Sequence, residues 1–350
     1  VNIKKNKKII FFGCLLSLVL GWQYYENRSV QVTVHVSQDE DLLITMPWKD
    51  RRRLTYLFYK MMVLDEGAYT LLGSKPMYMG GYIKPFSLSI DWRVFLSSIF
   101  PGNIRKFSAW KTWQKYAHLF HNSPFILRAE INPFWPEPHE SVSILVINKE
   151  GIEKEISSHR NDFETVLQRQ GITFELLLSE ANEKPFLKSI LKSHDGLIGT
   201  LFGYGRDNAW LFEQRSRGEK VPLKPFWGEE VYDFFANRPN GVHLDDLSLV
   251  LGYPCFLADP DSLETKELRE KFLKDRERIL DYYKGKDFLE ATLSLLFGAM
   301  YERYPPLKPQ KVARIGKRGE LNAQILIRGL CLQCVPSFGG FPENQEGTVA

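Results

Sequence analysis

Residues 125–156, FILRAEINPFWPEPHESVSILVINKEGIEKEI, decide the class of this fold. Phe125 to Ile131 and Val142 to Asn148 are aliphatic runs of strand length, parted by the proline-rich loop NPFWPEP, and runs so bounded read as strands. Lys149-Glu150-Gly151 then predicts a hairpin turn into Ile152 to Ile156. Toward the N-terminus, Val30, Val32, Val34 and Val36 alternate with polar residues and precede Leu42 to Met46, again strands. Leu54, Leu57, Phe58, Met61 and Met62 recur on one helical face, with Arg51, Arg52 and Thr55 opposite. A second helix is predicted over Ile104 to Phe120, bearing Phe107, Trp110, Trp113 and Ala117.

Toward the C-terminus the pattern turns helical. Asn161 and Glu164 are spaced as a capping pair, and Pro185 suits the first turn of a helix. Short helices are predicted at Val231 to Phe235 and at His243 to Leu251, the latter stopped by Gly252 and Pro254. Asp261 with Glu264 opens a charged helix to Tyr283 whose Leu268, Phe272, Ile279 and Tyr283 face inward. Phe288 to Tyr301 is a more apolar helix, and Gln324 to Val335 is strand-like. This order predicts an α+β fold, a helix-rich single domain with a small mixed or antiparallel sheet, rather than a regular parallel α/β fold. No linker or repeat interrupts residues 26–335, so they form one domain followed by a polar tail, 336–350. The 44% hydrophobic content supplies apolar surface for a full core, and the 13% aromatic content also suits an apolar groove.

Residues 1–25 read as a signal peptide or signal anchor. Lys4, Lys5, Lys7 and Lys8 precede an uncharged run from Ile9 to Trp22, IIFFGCLLSLVLGW. The cleavage pattern, Val19-Leu20-Gly21, is weak, whereas Trp22, Tyr24 and Tyr25 suit a membrane interface. Those four lysines are the only charged residues before Glu26, and without them the basic residues equal the 42 acidic ones. Such a neutral body lacks the broad cationic field of nucleic-acid binders, so no nucleic-acid partner is expected.

The blocks that invite a site fail the usual templates. Gly196, Gly199 and Gly203 are spaced for one helix face that lets another backbone approach, while Gly203 and Gly205 could instead form a turn presenting amides to an anion beside Arg206. The glycines do not match the dinucleotide fingerprint. GAYTLLGSKP, 67–76, has the wrong glycine spacing for a phosphate loop and a proline against helix continuation, and reads as a buried connection from helix to strand. Cys331-Leu-Gln-Cys334 lacks a following helix and a partner motif; structural cysteines, one of them bonded to Cys255 in one arrangement, are the simpler reading. His118 and His121, with Glu130 and His139 nearby, lack an identifiable third ligand, so no metal and no cofactor are expected.

LDEGAYTLLGSKPM, 64–77, and GLIGTLFGYGRDNAWLF, 196–212, resemble segments of a family of exported proteins from chlamydia-related bacteria that has no assigned activity. The resemblance implies a bacterial envelope setting and transfers no catalytic residue. Two function classes follow. The first is a membrane-anchored or exported envelope protein, inner-membrane anchored with a periplasmic body or secreted if the leader is cleaved, that binds an envelope partner or an apolar ligand. The alternative is an extracytoplasmic hydrolase whose acid and base groups converge only in three dimensions. Asp65, Glu66, Lys75, Arg206 and Asp207 are the candidate binding residues; a deep pocket among them favours the enzyme, an open apolar groove the binding protein.

Overall fold

A computed structural model of the chain describes residues 26–35, 41–83, 101–132, 141–228, 247 and 251–298. Strands β1 (Ser29–His35) and β2 (Asp41–Pro47) pair antiparallel, with Val32 opposite Ile44. The alternation read from the sequence buries Val32, Val34, Ile44 and Met46 on one face. Helix α1 (Trp48–Phe58) continues as a π-helical turn to Leu64, and its predicted apolar stripe, Leu54 to Met62, is buried. A short α2 (Ala68–Leu71) and an irregular turn lead into β3 (Met77–Ile83), so 67–76 is indeed a buried connection from helix to strand. Next come α3 (Pro101–Tyr116), a 3-10 turn to Phe120, β4 (Phe125–Ile131) and β5 (Ser141–Asn148).

β5 is the centre of a three-stranded antiparallel sheet in the order β3-β5-β4. Its run SILVI is buried on both faces: Ile144 and Val146 enter one hydrophobic core, and Leu145 and Ile147 enter another. The first core gathers the β1-β2 hairpin, α1, α3 and, later in the chain, α9 (Leu263–Tyr283) and α10 (Phe288–Phe297). The second gathers α4 (Lys149–Ser158), α5 (Arg160–Leu167), α6 (Phe174–Glu183), a π-helical turn at Phe186–Ile190 and α7 (Asp195–Leu201). Helix α8 (Arg206–Ser216) and the two-residue pair of β6 (Lys224–Pro225) with β7 (Leu257–Ala258) complete the described elements. The architecture is the expected mixed α+β domain, with antiparallel pairing in each sheet.

Three local expectations are corrected. Lys149 to Gly151 starts α4 and is not a hairpin turn, because the Asn148 side chain caps the helix by accepting from the Gly151 N–H at 3.1 Å, and Ile152 and Ile156, four apart, are both buried. Asn161 and Glu164 form no capping pair: α5 begins at Arg160, and Glu164 accepts from Arg160 and from the Gly171 N–H. Ser262, not Asp261, caps α9, which leaves Glu264 for another helix.

Among the described residues no helix is long and apolar enough to cross a membrane. The signal segment, the predicted helix beginning at Val231, the one beginning at His243 apart from Leu247 and Leu251, Tyr301, the strand Gln324 to Val335, Cys331, Cys334, His139 and the tail fall outside the described residues.

Candidate functional site

The π-helical turn after α1 ends at Asp65, and the chain reverses at Glu66, whose φ of 70° lies in the left-handed region. Glycine is the ordinary residue where a helix ends this way, with the Gly67 N–H closing onto the Met61 carbonyl at 2.7 Å. A glutamate there costs about 1–3 kcal/mol of backbone strain and aims a carboxylate inward. Its oxygens accept from Lys75 Nζ at 3.2 Å and from the Cys255 N–H at 2.8 Å. Burial pushes the Glu66 carboxyl up to about 7, against the opposing pull of the Lys75 cation.

Lys75 is 3% exposed, and its ammonium sits 5.4 Å from the centre of the Tyr204 ring. Tyr204 stacks on Phe256 at 4.3 Å, and Phe256 stacks on Phe226 at 4.2 Å, closing the pair behind aromatic rings. Gly203, with φ 74°, lets this happen: a Cβ there would stand 3.0 Å from Pro76 Cδ and 3.4 Å from Lys75 Cα. The two sequence blocks, 64–77 and 196–212, therefore meet at Lys75. Immediately before Lys75, Ser74 donates its N–H and hydroxyl to Asp275, whose carboxyl is raised by burial. Beside them the Tyr69 hydroxyl is buried without a hydrogen-bond partner among the described residues, and burial raises its pKa.

The other candidates do not join this pair. Asp65 turns toward Tyr78, whose hydroxyl it accepts at 3.4 Å. Arg206 makes a bidentate pair with Asp162 of α5 at 2.8 and 3.1 Å and a second contact with Asp207, which together raise its pKa and lower that of Asp162. The turn at Gly203 and Gly205 does present amides to an anion, and that anion is the protein's own. The N–H groups of Asp207 and Asn208 donate to the Glu264 carboxylate at 3.1 and 3.0 Å, and a Cβ on Gly205 would collide with it. Gly196 and Gly199 lie in α7, where a Cβ on Gly199 would stand 2.8 Å from the Ala209 Cβ; Gly203 lies past the helix end, so the three glycines do not share one helix face. His118 and His121 are exposed, and no metal-binding group occurs among the described residues.

A concavity of a different kind lies between α1 and α3. It is an open groove of about 490 Å³ whose floor is mainly apolar. Ile104 and Phe107 supply apolar lining, Ser108 and Thr112 are short side chains between them and the cations, and Arg53, Lys111 and Lys115 bring charge to it. The Thr112 hydroxyl is turned onto the Ser108 carbonyl at 3.0 Å. Buried Asp50 accepts from Lys115 at 3.3 Å and from the Tyr116 hydroxyl at 3.0 Å; burial and this bond push Tyr116 up to about 12. Helices α1 and α3 together carry eight cations and this single acid, so this pair of helices is basic in a body of balanced charge. Sequence reasoning passed over these residues, although the excess of Lys and Arg over acids in 48–58 and 101–116 was a usable signal.

No family model matches the chain, and no curated protein or solved structure shows significant similarity to it.

Proposed function

We propose that this chain is a bacterial envelope protein, held at a membrane by residues 1–25, whose body binds rather than transforms its ligand, and that the α1–α3 groove is the binding site. The observation that carries this is the groove itself: an open lining of Ile104 and Phe107 beside Arg53, Lys111 and Lys115 suits a ligand with apolar and anionic parts. A photo-crosslinking amino acid at Ile104, in cells, should capture a partner. One at Ile131, an exposed apolar residue on β4, should not. Equal adduct yields from the two positions would remove the groove from consideration.

The second reading, a hydrolase, is favoured by Glu66, a strained carboxyl that titrates near neutrality beside a lysine. Against it, Lys75 is buried and both members of the pair already have protein partners. In a deletion strain, Glu66→Gln should complement as well as the parent; loss of complementation by a folded Glu66→Gln protein would favour the enzyme.

A further inference from the structure

Building on that tethered binding protein, we infer that the α1–α3 groove is the face with which the body lies on a bilayer containing anionic phospholipid. Lipid phosphates meet Arg53, Lys111 and Lys115, and Ile104 and Phe107 face the acyl boundary. Charge is the first reason. Even counting Glu26 and Asp287, which pair with Arg52 and Arg51, cations outnumber carboxylates on these two helices and their partners by more than two to one. Each net positive charge near an anionic leaflet strengthens attachment about fivefold, so the three rim cations, less the Asp50 carboxylate that Lys115 and Arg53 share, amount to roughly twenty-five-fold.

Attachment of the chain is the second reason. Glu26 is 6% exposed and is held by Arg52 of α1 at 3.0 Å, so the apolar run ending at Trp22 joins the body next to this helix. Four residues span at most about 14 Å. A membrane-embedded run would thus keep α1, which supplies Arg53 to the groove, near the lipid surface. Side-chain character agrees: the Lys111 ammonium stands 5.8 Å from the Phe107 ring, and Trp48 on α1 lies under Arg28 and Arg51.

The test uses the full chain in vesicles of phosphatidylcholine alone or mixed with phosphatidylglycerol. Vesicle flotation reports the tether, and acylation rates of individual lysines, read by mass spectrometry on outward-facing copies, report the face. Lys111 and Lys115 should be protected by about fivefold or more in the anionic vesicles only, and salt should remove the protection. Exposed Lys154 and Lys271, on α4 and α9, should react equally in both. Flotation with both vesicle types but unchanged labelling of Lys111 and Lys115 would leave the tether standing and overturn the docking face. Flotation with neither would overturn both. Protection by soluble polyglutamate matching that by anionic vesicles would overturn the lipid in favour of an acidic polypeptide.

Discussion

Glu66 concentrates the tension of this molecule at one residue. Its backbone sits where glycine is preferred and its carboxyl is held at about 7, so the folded state binds its proton more tightly than an unfolded chain, whose glutamate titrates near 4.5. A folded pKa above the unfolded one gives stability that is complete below the unfolded value and lost as pH rises through the folded value. Stability should therefore fall between pH 4.5 and slightly above 7, by up to about 3 kcal/mol. Denaturant unfolding across this range checks it, and Glu66→Gln should flatten the slope. Asp195, Glu264 and Asp275 are shifted in the same sense by burial, whereas Asp162 is depressed by Arg206 and loses its contribution only as pH falls through its lowered value. The sequence drew attention to Glu66 by its place beside Gly67, but could not reveal that Cys255, 189 positions away, supplies its second donor.

Helices α7 and α8 show what the glycine block is for. Gly199 allows Ala209 to approach, so Gly199→Leu should destabilise by a few kcal/mol through overpacking, measured as a lower thermal midpoint with the parent as reference. The start of α8 is stabilised by Glu264 rather than by a ligand. Glu264→Ala should cost about 1–2 kcal/mol, since two helix-end amides lose their acceptor. Arg206→Ala should cost no more than about 1 kcal/mol, because that side chain is 42% exposed and its ion pairs are solvated. A larger loss for Arg206→Ala than for Gly199→Leu would reverse this ranking. The helix-packing role of Gly199 was legible from spacing, whereas the anion held by α8 was not, because Glu264 also fitted the pattern of a cap for its own helix.

Across the whole molecule, β5 joins two cores through alternate side chains, which predicts one cooperative unfolding transition. Leu145→Ala in one core and Val146→Ala in the other should each lower the same midpoint, by about 2–4 kcal/mol for the leucine and less for the smaller valine. Two separated transitions, each sensitive to one variant, would show that the cores fold independently. Alkaline phosphatase fused after Glu26 should be active outside the cytoplasm if residues 1–25 direct export. By itself the sequence determined the strands β1 and β2, the apolar stripes of α1, α3 and α9, the strands β4 and β5 and the α+β class, because periodicity along the chain dictates which side chains can be buried together. Only the tertiary structure decided that Lys75 meets Tyr204, that Glu264 serves α8, and that Arg53 shares a groove with Lys111 and Lys115. Each of these depends on residues distant in the chain, whose meeting is set by how the two cores pack on the shared sheet rather than by any local pattern.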